Sequence, residues 1–174
     1  HDTFGPYAFI IYSIAVSLRD LGMTMAPQNA FQTLLGLETL SLRMKKHVSN
    51  SIKIANWLEK HPKIEKVTYA GLASSQYFKT AKSILPKGAG ALFTISLKDG
   101  YEACMKMINK LNLFSHVSNL GDTRSLIIHP ASTVHRQLTE EQQKNAGLAP
   151  NVIRLSIGIE DPKDLINDLR QALE

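Results

Sequence analysis

The sequence predicts an α+β fold: a small, largely antiparallel sheet covered by helices on one face and preceded by a long linking helix. Three observations carry that expectation. Apolar residues recur at three- and four-residue spacing up to His61, the signature of helices with one buried side. Beyond Pro62 short β-branched runs alternate with short helical ones. Gly, Pro or Asn punctuates almost every change between them.

Residues 1–22 read as a helix entered through the Gly5-Pro6 turn, carrying Phe9, Ile10, Ile14, Val16 and Leu18, with Gly22 where a C-cap belongs. Pro27-Gln28-Asn29 can open the next helix, because proline presets φ and its missing N–H is not needed in a first turn. That helix is expected from about Ala30 to His61, with Phe31, Leu34, Leu35, Met44, Val48, Ile52, Ala55 and Leu58 on its apolar side and Pro62 as its stop. Ile64–Tyr69 alternates like a half-buried strand, Tyr77–Leu85 reads as a short helix, and Ala89–Leu97 as a strand turning at Lys98-Asp99-Gly100. Tyr101–Leu111 is helical, with Cys104, Met107, Ile108 and Leu111 on one face, so Cys104 is read as a packing residue. A second apolar strand runs over 125–129 and ends at Pro130. Thr139 and Gln142 have capping-box spacing for a helix that Gly147 terminates. The strand starting at Val152 follows, and Asp161-Pro162 opens a last helix ending near Leu173.

Composition narrows the function classes. The chain has 174 residues, 44% of them hydrophobic and 20% charged, which suits one ordinary globular core. A single cysteine permits no internal disulfide and fits a reducing, cytoplasmic setting. The opening His1-Asp2-Thr3-Phe4-Gly5-Pro6 has no basic stretch of a secretory leader, and Tyr7–Leu18 is too short to span a bilayer. No initiator methionine is present, and the chain is expected to be a piece of a longer protein. The net charge of +5 is dispersed. Its densest cluster, Arg43-Met44-Lys45-Lys46-His47, reads as a solvated helix face, and no nucleic-acid-binding signature accompanies it. Neither nucleic acid nor membrane is an expected partner.

Three stretches hold more polar groups than their positions require. The first is Val152-Ile153-Arg154-Leu155-Ser156, where an arginine sits between two core-type residues. Burying a guanidinium is costly unless an anion meets it, and its planar fork matches a carboxylate. The readings are a carboxylate-binding ligand site, or an arginine that reaches solvent or pairs with a nearby Asp. The second is Ser118-Asn119-Leu120-Gly121-Asp122-Thr123-Arg124-Ser125, composed of ordinary turn residues but offering the Asn119 amide beside a flexible Gly121. The third is His129-Pro130-Ala131-Ser132-Thr133-Val134-His135. Its two histidines lack a third ligand at metal-binding spacing, so no metal is expected and His129 is read as a hydrogen-bonded strand end. No Gly-x-Ser-x-Gly elbow is present, and Lys87-Gly88-Ala89-Gly90 is not a phosphate loop.

These residues also carry a resemblance. Asn29-Ala30-Phe31 with Leu35-Gly36-Leu37-Glu38-Thr39-Leu40-Ser41-Leu42-Arg43-Met44, then Leu85-Pro86-Lys87-Gly88-Ala89-Gly90, Asn119-Leu120-Gly121-Asp122, residues 125–133 and Ile153-Arg154-Leu155-Ser156-Ile157-Gly158-Ile159-Glu160-Asp161 together resemble the Cys/Met-metabolism family of pyridoxal-phosphate enzymes. Within it the wording is most similar to the O-acetylhomoserine sulfhydrylases. The resemblance implies the small C-terminal domain of a fold-type-I enzyme, organised as 1–28 the end of a large-domain or connecting segment, 29–62 a linking helix, and 63–174 the small domain.

The same resemblance implies what is held elsewhere. The lysine that forms the Schiff base lies in a Ser-x-Thr-Lys motif of the family's large domain. The nearest look-alike here, Phe78-Lys79-Thr80-Ala81-Lys82, falls in a short surface helix. Pyridoxal 5'-phosphate is therefore expected on a large domain outside this chain, with no catalytic or cofactor-binding residue and no metal ligand within it. Arg154 matches the arginine that binds the substrate α-carboxylate, Asn119 a residue that helps hold it, and Ser118 its neighbour. The implied activity of the intact enzyme is replacement of acetate by sulfide on an amino-acid substrate to give homocysteine, in a homotetramer. The fragment alone is expected to be inactive. Relatives acting on cystathionine, by γ-synthesis or γ-cleavage, are the enzymatic alternative, and a stand-alone amino-acid-binding module the non-enzymatic one. One departure is visible: Ser132-Thr133-Val134-His135 stands where sulfhydrylases usually read Ser-Thr-Thr-His.

Overall fold

The computed structural model describes residues 3–174, so the His1-Asp2 opening lies outside the described residues. The chain forms two compact units, His1–Leu40 and Ser41–Glu174.

In the first unit a 3-10 turn, Gly5–Tyr7, leads into α1 (Ala8–Tyr12), a π-helical stretch Ser13–Leu18, and α2 (Arg19–Leu21). Gly22 ends it in the left-handed region at φ +63°, its N–H donating to the Leu18 carbonyl at 2.8 Å. Pro27 opens α3 (Pro27–Glu38) at the first helical position. No residue of these helices is buried: Phe9 is 78% exposed and Leu21 69%.

The expected single helix over 29–62 is two helices. Thr39 leaves helical geometry at φ −103°, ψ +2°, and α4 (Leu40–Glu59) starts after it. Gly36 and the β-branched Thr39 are both weak helix formers, and together they lower the cost of a break there. The apolar periodicity continues across the break and concealed it. The end of α4 falls three residues before Pro62, in keeping with proline's exclusion of helical backbone just ahead of it.

The second unit is built on five strands, β1 (Ile64–Thr68), β2 (Leu92–Leu97), β3 (Ser115–His116), β4 (Leu126–Ile128) and β5 (Val152–Ser156). Their order is β1-β2-β5-β4-β3, antiparallel throughout except for the parallel β3–β4 pair. β3, only two residues long, has no counterpart in the sequence reading because alternation cannot register over so short a run. β2 starts at Leu92 and not at Ala89, since Gly88 and Gly90 sit at φ +130° and +77°, outside strand geometry.

The helices α5 (Phe78–Ile84), α6 (Gly100–Lys110), α7 (Glu140–Asn145) and α8 (Pro162–Leu173) complete the unit. The α7 capping box forms as its spacing predicts: Thr139 N–H donates to the Gln142 side-chain oxygen at 2.9 Å, and Gln142 N–H donates to the Thr139 hydroxyl at 3.3 Å. One face of the sheet carries the core. Ile54 and Leu58 of α4, Met107 of α6, and Leu165 and Leu169 of α8 join Phe93, Ile95, Ile153 and Leu155 in one buried cluster. Asp168 of α8, 6% exposed, accepts from the backbone N–H groups of Asn112 at 3.0 Å and Leu113 at 2.8 Å, tying α8 to the connection that leads into β3. Among the described residues no helix is long and apolar enough to cross a membrane.

Two consequences are testable. Cys104 is fully buried in the core, and burial pushes its thiol from 9.0 up to about 11. The folded protein should resist thiol reagents at pH 8 and react on denaturation. Stability from this group is complete below pH 9 and is lost as pH rises towards 11, because the unfolded chain releases that proton first. Asp168→Ala leaves two backbone donors unmatched and should lower unfolding stability by about 2–3 kcal/mol. Asp168→Asn, which keeps one acceptor, should cost less; equal loss in urea unfolding of the two variants would contradict this.

Candidate functional site

The middle strand of the sheet places the most informative side chain. β5 pairs with β2 on one side, where Arg154 faces Thr94, and with β4 on the other, where it faces Ile128. Ile153 and Leu155 enter the core, so strand alternation turns Arg154 to the opposite face of the sheet. There it is half-buried. Its guanidinium donates to the Asn119 carbonyl at 3.3 Å, and among the described residues no carboxylate pairs with it. The alternative of an arginine neutralised by a nearby Asp is not what the structure shows.

Asn119 and Ser118 are exposed in the loop between β3 and β4. Arg154 and Asn119 are thus brought together from different elements, with the Asn119 backbone and not its amide making the contact. Gly121 turns the loop at φ +76°. Asp122 then accepts from the Arg124 backbone N–H at 3.0 Å and pairs with its guanidinium, and these two contacts, the backbone one foremost, hold the Asp122 carboxyl below its usual value.

The far end of this loop is fastened to the segment that follows β5. Ser125 N–H donates to one Glu160 carboxylate oxygen at 2.6 Å, and its hydroxyl donates to the other at 3.0 Å. The same hydroxyl accepts from Gly158 N–H at 2.9 Å, and Ile159 N–H donates to the Thr123 carbonyl at 2.9 Å. From α4, His47 Nδ1 donates to the Ile157 carbonyl at 2.6 Å, and the Asn50 amide donates to the carbonyls of Gly158 and Glu160 at 3.0 and 2.8 Å. The sequence places His47 in a solvated cluster, but it is buried and bonded to the Ile157 carbonyl, because it lies on the side of α4 that packs on this segment. Glu160 precedes the helix start, but only Asp161 caps α8, accepting from Lys163 N–H at 2.7 Å. The available signal was that α8 needs one acidic cap and the sequence offers two acids.

The histidine segment is engaged within the chain. His129 is buried, its Nε2 donating to the Pro150 carbonyl at 2.8 Å while Nδ1 accepts from the Ser132 hydroxyl at 2.8 Å. His129 is therefore the hydrogen-bonded strand end that its position implied. His135 and Val134 are exposed. A separate groove of about 410 Å³ runs along the β1 edge, lined by Glu59, Glu65, Lys66 and Tyr77; β2 lies between that edge and Arg154.

A Schiff-base lysine is functional when enclosed and desolvated. No described lysine side chain is buried here, and Lys79 and Lys82 of the look-alike motif are exposed on α5.

Comparison with known proteins places this arrangement. A family model described as Cys/Met metabolism PLP-dependent enzyme matches residues 9–174. The chain is 44% identical over 172 residues to O-acetyl-L-homoserine sulfhydrylase 1 of Thermus thermophilus, covering 99% of this chain and 41% of that protein. It is 47% identical over 168 residues to the O-acetyl-L-homoserine sulfhydrylase of Leptospira meyeri, covering 96% of this chain and 38% of that one. Among solved structures, a Campylobacter jejuni protein described as an O-acetylhomoserine (thiol)-lyase, carrying pyridoxyl-lysine monophosphate, superposes with a TM-score of 0.89 at 46% identity, over 98% of this chain and 41% of its own. The chain therefore spans about two fifths of the length of the relatives it matches. It belongs to the Cys/Met-metabolism family of PLP-dependent enzymes.

Proposed function

We propose that this chain is the substrate-clamping portion of an O-acetylhomoserine sulfhydrylase, an enzyme that replaces the acetate of O-acetylhomoserine with sulfide to give homocysteine and free acetate. The observation that carries the reading is Arg154, a half-buried guanidinium on the middle strand that no described carboxylate neutralises. Two parallel N–H donors of one planar group fit the two oxygens of an amino-acid α-carboxylate. Asn119, whose carbonyl meets Arg154, and its neighbour Ser118 would complete the hold on that carboxylate.

The clamp contributes orientation. It grips the end of the substrate away from the reacting γ-carbon, so the remaining bonds are fixed relative to whatever group performs the chemistry. Pyridoxal phosphate, held by the part of the enzyme beyond this chain, supplies the electron sink for the replacement. In this reading residues 1–28 connect to that larger domain, 29–62 link, and 63–174 form the small domain. The apolar side chains exposed on α1 to α3 support a covering by protein outside the chain, as does the family's length. A homotetrameric, cytoplasmic enzyme belongs to the same proposal, and this chain by itself is inactive.

In the intact enzyme Arg154→Ala should weaken apparent binding of O-acetylhomoserine by about 2–4 kcal/mol, the usual loss when one partner of a hydrogen-bonded charge pair is removed. Arg154→Lys should recover only part of it, since a point charge cannot form the fork. Unchanged apparent affinity in Arg154→Ala would refute the clamp. Competition among sulfide, methanethiol and cysteine tests the reaction assignment: sulfide should be preferred, and preference for cysteine would move the enzyme to cystathionine synthesis.

A further inference from the structure

We propose that Glu160 and Ser125 are positioning residues for the carboxylate clamp, setting the separation between Arg154 and Asn119. This rests on the reading of Arg154 given above and deepens it. The two clamp residues come from elements far apart in sequence, β5 and the β3–β4 loop. A fork that must meet both oxygens of a small anion tolerates little relative displacement of its two sides. Something must fix the loop against the strand.

The loop is exposed from Val117 to Gly121 and meets β5 there through the solvated Arg154–Asn119 contact, and the Asp122–Arg124 pair is local, so neither fixes it firmly. The anchoring comes from the other end. Ser125 is fully buried at the start of β4, and both of its donors, N–H and hydroxyl, point at the two oxygens of Glu160. Its hydroxyl also takes the Gly158 N–H, so one serine joins the loop to two places on the segment leaving β5. Gly158 has no room for a side chain: an added Cβ would meet the Thr123 carbonyl oxygen, the Arg124 carbonyl carbon and the Glu160 carboxylate. The loop backbone lies directly on that glycine. Asn50 of α4 holds the opposite side of the same segment through the Gly158 and Glu160 carbonyls.

The chemistry of Glu160 fits fastening better than stabilisation. Its carboxylate is half-buried and among the described residues has no cationic partner, and the α8 cap is already supplied by Asp161. A desolvated carboxylate costs stability unless its hydrogen bonds repay it. What a carboxylate gives here is two acceptors on one rigid plane, spaced to receive an N–H and an O–H of a single residue. An amide can supply one acceptor only.

The test uses the full-length, cofactor-loaded enzyme that carries this chain, comparing Glu160→Gln, Ser125→Ala and Arg154→Ala. The readouts are KM and kcat for O-acetylhomoserine, KM for sulfide, bound cofactor from its visible absorption, and thermal midpoint. Glu160→Gln is expected to raise KM for O-acetylhomoserine roughly tenfold, the scale of one charge-assisted hydrogen bond. KM for sulfide and cofactor content should hold. Ser125→Ala should move KM in the same direction by less, because its backbone N–H still reaches Glu160. If both variants keep wild-type KM while Arg154→Ala raises it, the clamp stands and the positioning role is overturned. The role is overturned equally if they lose only stability or cofactor, with KM of the remaining enzyme unchanged. Should Arg154→Ala itself leave KM unchanged, the clamp reading falls and takes the positioning role with it.

Discussion

Everything at the candidate site depends on the two-residue alternation of β5 at the centre of the sheet. Strands on both sides hold its register, β2 through five residue pairs and β4 through three. Ile153 and Leu155 have no exposed surface, and Phe93 and Ile127 pair against Leu155 on the same face. With those two committed to the helices, Arg154 has only the other face available. A one-residue slip would drive a guanidinium into the core and two aliphatic side chains out of it. The arginine therefore owes its position to its neighbours' hydrophobicity, and its availability to the lack of a paired carboxylate among the described residues.

A second layer of polar contacts converts that placement into a geometry. Arg154 belongs to a rigid strand, but its companion Asn119 belongs to an exposed loop, and loops are where precision is lost. Here the loop is stitched to the segment beyond β5 by backbone and side-chain hydrogen bonds that converge on Ser125, Gly158 and Glu160. α4 supports the same segment from behind through His47 and Asn50. α4, part of the linking stretch the sequence suggests, contributes six buried residues to the second unit.

Most of the fold was legible in the sequence because long elements repeat a period many times. The strands at 64–68, 126–128 and 152–156 and the caps at Gly22, Thr139 and Asp161 lie where pattern and turn chemistry place them, and the strand at 92–97 differs only in its start. β3 was not legible, since two residues hold no period, and the break at Thr39 was hidden because apolar spacing continues through it. Arg154 stood out through the conflict between a charge and its apolar neighbours. Glu160 and Ser125 did not, because a glutamate ahead of a helix and a serine ahead of a strand conflict with nothing. Their partnership spans 35 residues and exists only after folding.

The sheet's two edges differ in how they end. β3 is just two residues long, and β1, the other edge, carries a register irregularity between Ile64 and Lys66 while exposing Glu65 and Lys66. Short, kinked or charged edges deny an incoming strand a regular ladder of free N–H and C=O groups. An open sheet whose central strand is strongly apolar would otherwise template its own aggregation. The same irregularities that make the margins of this sheet hard to read from sequence protect it against edge-to-edge polymerisation.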